Sequence, residues 1–148
     1  MKSSYLFLLV FLFCATSAYS QTGTFNLTGA TFNGSTTTQT VDGVTLTVST
    51  TAGNANITNS YSIGSTSGGN LCQASANSNM TLTFTGGPVN ITTIRAADIG
   101  LKTKNWTFTP SPLGSNVAKT VSVDGTNGTD VTLNFISINS ISITQSTV

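Results

Sequence analysis

Apolar and hydroxyl-bearing residues alternate along most of this chain. Val44-Thr-Leu46-Thr-Val48-Ser, Met80-Thr-Leu82-Thr-Phe84-Thr, Trp106-Thr-Phe108-Thr, Val131-Thr-Leu133-Asn-Phe135 and Ile141-Ser-Ile143-Thr all repeat with a period of two. Successive side chains of a β-strand point to opposite faces. Each segment therefore predicts a strand with its apolar set turned inward and its hydroxyls outward. Weaker period-two stretches at residues 24–28, 55–58, 61–63, 89–97 and 117–123 predict further strands. No segment of convincing length carries the helical period.

Turn residues fall between these segments. Asp42-Gly43 precedes the Val44 strand, and Gly86-Gly87-Pro88 separates the Met80 strand from the one that starts at Val89. Asp124-Gly125-Thr-Asn127-Gly128 predicts a hairpin between the 117–123 strand and the Val131 strand. Roughly eight to ten short strands at this spacing predict an all-β fold, an antiparallel two-sheet β-sandwich of the jelly-roll type. An immunoglobulin-like sandwich is the rival, without the Cys…Trp…Cys pattern that would favour it.

The first twenty residues read differently. Lys2 is followed by the apolar run Tyr5-Leu-Phe-Leu-Leu-Val-Phe-Leu-Phe13, and Ala18-Tyr19-Ser20 offers small residues at the cleavage positions. This is the layout of a secretory signal peptide, with residues 21–148 expected as one exported β-sandwich domain that starts at Gln21. The apolar run is shorter than the ~20 residues a membrane-spanning helix needs. Phe13 stands before Cys14 where a lipoprotein signal requires a small residue. Loss of the leader leaves Cys72 as the one thiol, which cannot form an internal disulfide. It is read either as a small buried apolar residue or as one half of an intermolecular bond.

Composition narrows the function. The chain has no histidine and no glutamate, and charged residues make up 6% of it. Histidine and glutamate are the commonest general acids and bases and frequent metal ligands, so the usual catalytic equipment is missing. A glycosidase needs two flanking carboxylates, and of the four Asp, two (Asp42 and Asp124) stand directly before glycines. Gly64-Ser-Thr-Ser-Gly68 carries Thr66 where a nucleophile elbow needs serine, and it has no histidine base. These features point away from an enzyme. Without Lys2 the four basic residues balance the four Asp, which disfavours nucleic acid and anionic membrane as partners.

The binding candidates are few. Trp106 offers an indole face for a sugar ring, although Phe108 two positions on points the same way and makes a core pair the competing reading. Tyr61 lies near the Gly- and Ser-rich loop 64–70. Arg95 and Asp98 are a donor fork and an acceptor for sugar hydroxyls, or else an ion pair at a strand end. Asp124-Gly-Thr-Asn127-Gly-Thr-Asp130 has the oxygen spacing of a calcium loop, but two carboxylates are few for that ion and a turn explains the same residues. A structural calcium held by Asp130 or Asp42 is the alternative to no cofactor. The outward Thr-X-Thr words at 45/47, 81/83/85 and 107/109 have the chemistry of an ice-binding surface. They recur without a fixed repeat, as the solvent face of a charge-poor sandwich also would. Seven Asn-X-Ser/Thr sequons, at Asn26, Asn33, Asn56, Asn79, Asn90, Asn105 and Asn127, are close to the number chance gives in so Ser/Thr-rich a chain.

Phe32-Asn-Gly34, Val41-Asp-Gly-Val44-Thr-Leu, Leu82-Thr-Phe84-Thr-Gly-Gly-Pro88-Val89-Asn-Ile-Thr and Trp106-Thr-Phe-Thr-Pro110 together resemble the galactose-binding-like jelly-roll modules of exported bacterial proteins. The leader, ending in small residues before Gln21, is similar to those of the Bacteroidetes. The resemblance implies carbohydrate binding or attachment. The expectation is therefore a secreted, non-enzymatic module that recognises a neutral carbohydrate or cell-surface glycan through polar loop residues. Arg95, Asp98, Tyr61 and Trp106 are its candidate contacts. The alternative is an extracellular matrix protein that self-associates through charge-poor sheet edges or Cys72.

Overall fold

The computed structural model describes residues 23–34, 36–51, 56–59, 62–63, 66–67, 70–73, 79–97, 103–125 and 127–145, with the short strands between 56 and 73 given by their backbone. The expected leader, Tyr61 and Asp98 lie outside the described residues. Among the described residues thirteen strands run in chain order: β1 (Thr31–Phe32), β2 (Thr37–Val41), β3 (Val44–Thr50), β4 (Asn56–Asn59), β5 (Ser62–Ile63), β6 (Thr66–Ser67), β7 (Asn70–Gln73), β8 (Met80–Thr85), β9 (Val89–Ala96), β10 (Lys104–Ser111), β11 (Lys119–Val123), β12 (Thr129–Ile138) and β13 (Ser140–Gln145). The described residues contain no helix. The all-β expectation holds.

Seven strands form one antiparallel sheet in the order β1-β2-β3-β8-β13-β10-β11, and β12 pairs with β9 in a second, two-stranded sheet. Both sheets feed one core. Val44, Leu46, Val48, Leu82, Phe84, Phe108, Val123, Ile141 and Ile143 come from the large sheet, while Ala96, Val131, Leu133, Phe135 and Ile138 come from the small one. In β3, β8, β10 and β13 the buried residues of the large sheet are the apolar half of a period-two segment, as one-sided burial requires. β4 pairs with β7, and β5 with β6.

The turns behave in two ways. Asp42 and Gly43 both have positive φ (50° and 80°) and close the β2–β3 hairpin, with Val41 opposite Val44. Two left-handed residues give the hairpin turn whose twist matches that of its strands. Gly86 has φ +104°, and a Cβ there would collide with the carbonyl oxygen of Gly43. The Asp124–Gly128 segment does turn the chain, but not as the expected hairpin. β11 pairs with β10 and β12 with β9, so this turn carries the chain from the large sheet to the small one.

The return passage is shorter. β12 ends at Ile138 and β13 begins at Ser140. Asn139 between them donates its N–H to the Ser111 carbonyl at 2.7 Å and accepts from the Phe84 N–H at 2.8 Å. Before that corner β12 twice advances three residues where β9 advances two, with Asn134 (φ 53°) and Ser137 (φ 51°) left-handed. The second bulge turns Ser137 to solvent and Ile138 into the core, which strict alternation would have reversed. The amide of Asn116 serves the bulged backbone, accepting from Ile136 N–H at 2.8 Å and donating to Ile136 O at 2.9 Å. Asn90 Oδ1 accepts from Ser137 N–H at 2.8 Å.

Residues 24–28 do not form the expected strand. Leu27 has φ 60°, and the segment is tied to a side chain instead of a ladder. Gln39 Oε1 accepts from Leu27 N–H at 2.9 Å, and Gln39 Nε2 donates to Thr28 O at 2.9 Å and to Asn26 Oδ1 at 3.2 Å. Phe25 and Leu27 still pack on the core, the Phe25 ring 6.0 Å from that of Phe84.

Two outcomes follow for denaturant unfolding. Gln39→Ala removes the three bonds that hold residues 26–28 and lowers stability by about 1–3 kcal/mol. Gly86→Ala forces both a left-handed alanine and a steric overlap, costing more than the ~1–2 kcal/mol expected at Gly29, where φ is positive but a Cβ meets nothing.

Candidate functional site

The large sheet buries one face, and its other face collects the outward members of the alternating segments in β3, β8, β10 and β13. Pairing register places Thr31, Thr38, Thr47, Thr83, Ser140 and Ser111 in one row across six strands. Ser49, Thr81, Ser142 and Thr109 make a second row, and Thr40, Thr45 and Thr85 a third. Thr144, Thr107 and Thr120 make a fourth, with Asn105 opposite Ser122 beyond it. Every one of these positions is Thr or Ser except Asn105, and none is buried.

Three physical properties follow. Strands lie ~4.8 Å apart and like-facing residues ~6.7 Å apart along a strand, so the hydroxyls form a two-dimensional array. Hydroxyls both donate and accept, and the β-branched threonine is stiff at χ1. Neighbouring side chains fix one another: Thr40 Oγ1 and Thr45 Oγ1 are 2.8 Å apart, as are Thr107 Oγ1 and Thr120 Oγ1. The face also carries no charge. Lys104 and Lys119 share the parity of Trp106 and Phe108, toward the small sheet, and Lys119 Nζ donates to Thr132 O on β12 at 3.1 Å.

Of the residues singled out from the sequence, the described ones, Arg95 and Trp106, stand on β9 and β10 in different sheets. Arg95 pairs with Asp130, directly opposite it on β12, at 3.0 Å. Its Nη2 also donates to the Asn127 carbonyl at 2.7 Å. The guanidinium is therefore committed to the turn that joins the sheets. Trp106 lies on the inward side of β10, partly buried against the core, with its ring 6.5 Å from that of Phe108. Its Nε1–H is buried and makes no hydrogen bond.

In the segment read as a turn or a calcium loop, both carboxylates have protein partners. Asp124 accepts from Asn127 N–H at 3.4 Å and from Asn127 Nδ2 at 3.2 Å, and its own N–H donates to Thr129 Oγ1 at 2.9 Å. Asp130 faces Arg95. Among the described residues no group of three or more His, Cys, Asp or Glu is placed to hold a metal ion.

The hydroxyl rows are the arrangement that residue-by-residue reading of the sequence missed. Its signal was present in the Thr-X-Thr words, but Thr47 and Thr83 become neighbours only through strand pairing. No family model, curated protein or solved structure matches the chain.

Arg95 and Asp130 are both substantially exposed, 46% and 65%, so their pair is screened by solvent. A double-mutant cycle of Arg95→Met and Asp130→Asn should give a coupling below about 1 kcal/mol, shrinking further in high salt. A large, salt-insensitive coupling would show that the pair carries the inter-sheet turn.

Proposed function

We propose that this is an exported, non-enzymatic binding module for neutral glycans, and that its working surface is the hydroxyl face of the large sheet. The observation that carries the reading is the absence of charge and aromatic rings from a face that spans seven strands. Neutral polysaccharides present rows of hydroxyls, which a grid of donors and acceptors meets with many weak hydrogen bonds. An anionic or cationic polymer would find no counter-charge there. The chain crosses between the large sheet and the β12–β9 sheet at β8→β9, β9→β10, β11→β12 and β12→β13, which accords with a jelly-roll-like sandwich.

The proposal moves the contact surface away from loop residues. Arg95 serves the inter-sheet turn and Trp106 faces the core, so neither is offered to a ligand in the way the loop hypothesis requires.

A pull-down of the purified protein on a panel of neutral and charged insoluble polysaccharides tests this. Binding is expected on at least one neutral polymer. It should be lost in Thr83→Lys, which places a hydrated charge mid-row, and kept in Thr93→Lys on the exposed side of β9. A blank across the neutral panel, or equal binding by both variants, overturns the proposal.

A further inference from the structure

The geometry points to a second ligand for the hydroxyl face: we infer that it adsorbs to ice. This inference uses the same face as the glycan proposal but does not depend on it. An ice surface is a neutral lattice of water oxygens, each donating and accepting hydrogen bonds. A protein face that joins such a lattice must offer donors and acceptors at repeated intervals and must hold no group whose own hydration resists incorporation. Charged side chains fail the second condition because they retain their water shells.

The large sheet meets both conditions. Its outward positions are hydroxyls with one amide, and its lysines lie on the other side. Hydroxyls stand ~4.8 Å apart within a row and rows ~6.7 Å apart along the strands, repeats of the same size as the oxygen repeats of hexagonal ice. Threonine contributes a methyl beside each hydroxyl, so water over the face is ordered by apolar and polar neighbours together. The region of β2, β3 and β8 is densest in threonine: every outward residue there is Thr except Ser49. Hydroxyl pairs such as Thr40–Thr45 at 2.8 Å hold the array before any ligand arrives, which lowers the ordering cost of adsorption.

The test is thermal hysteresis and ice-recrystallisation inhibition by the purified protein, beside a non-adsorbing protein at equal mass. The expected result is a freezing point held below the melting point with faceted crystals. That activity should be lost in Thr83→Lys and in Thr85→Lys, the latter at an exposed position that tolerates substitution, and retained in Thr93→Lys. Circular dichroism melting verifies that each variant is folded. Wild-type protein that leaves ice growth unchanged overturns the inference, as does undiminished activity in folded Thr85→Lys. Glycan binding without ice activity would overturn this inference alone, and ice activity without glycan binding would overturn the proposed function alone.

Discussion

The insertion of the last strand between β8 and β10 is the constraint on which the fold depends. β13 pairs Ile141 with Leu82 on one side and with Pro110 on the other, and Ile143 with Met80 and Phe108. Without it the large sheet is two pieces, β1-β2-β3-β8 and β10-β11, each with a raw edge. Ile141 is fully buried, and Ile143 nearly so, so the strand that closes the ladder also fills the centre of the core. The corner at Asn139 sets its register, since one residue bonds β8 and the end of β10 at once. Such pairing is remote in sequence and must wait for loops to close, which places the fold among the slower-forming topologies.

One-sided burial then decides the chemistry of the surface. Once the apolar half of each alternating segment is inward, its partner half has nowhere to go but outward, and β13 continues those rows across the sheet. The uncharged face is thus a by-product of packing as much as a feature. What exceeds packing is uniformity. A solvated sheet face tolerates Lys, Glu, Gln or Arg at most positions, yet here the outward residues are hydroxyls with one amide.

The period of two was enough to find β3, β8, β10, β12 and β13 and to assign their buried faces. It did not find β2, where the inward residues include Thr37 and Gln39 and no apolar alternation exists. Phe25 and Leu27 were rightly apolar-inward, but a left-handed Leu27 and the Gln39 amide replace strand pairing there. The Asp124–Gly128 residues disclosed a turn and not its destination, because local turn chemistry is the same whether the next strand pairs or changes sheet. The hydroxyl rows were hidden for a related reason: their spacing is irregular along the chain and regular only across it.

The unequal sizes of the two sheets explain the remaining irregularities. Two strands cannot cover the inner face of seven, so the far side of the core needs another cover. Residues 23–28 provide it on the inner side of β2, β3 and β8: Phe25 meets Phe84, Gln39 grips residues 26–28, and Gly23 lies 3.1 Å, measured from an added Cβ, from Val41 Cγ1. An apolar strand edge laid there would need its own hydrogen-bonding partners. A coil held by one glutamine satisfies its N–H and C=O groups locally, within the limit that buried backbone imposes. On the opposite side, Lys119 reaches Thr132 O and Asn116 completes the bulged backbone of β12, fastening the small sheet by side chains where no ladder joins it to the large one. The inner face is thereby closed by irregular means, leaving the outer face a regular one.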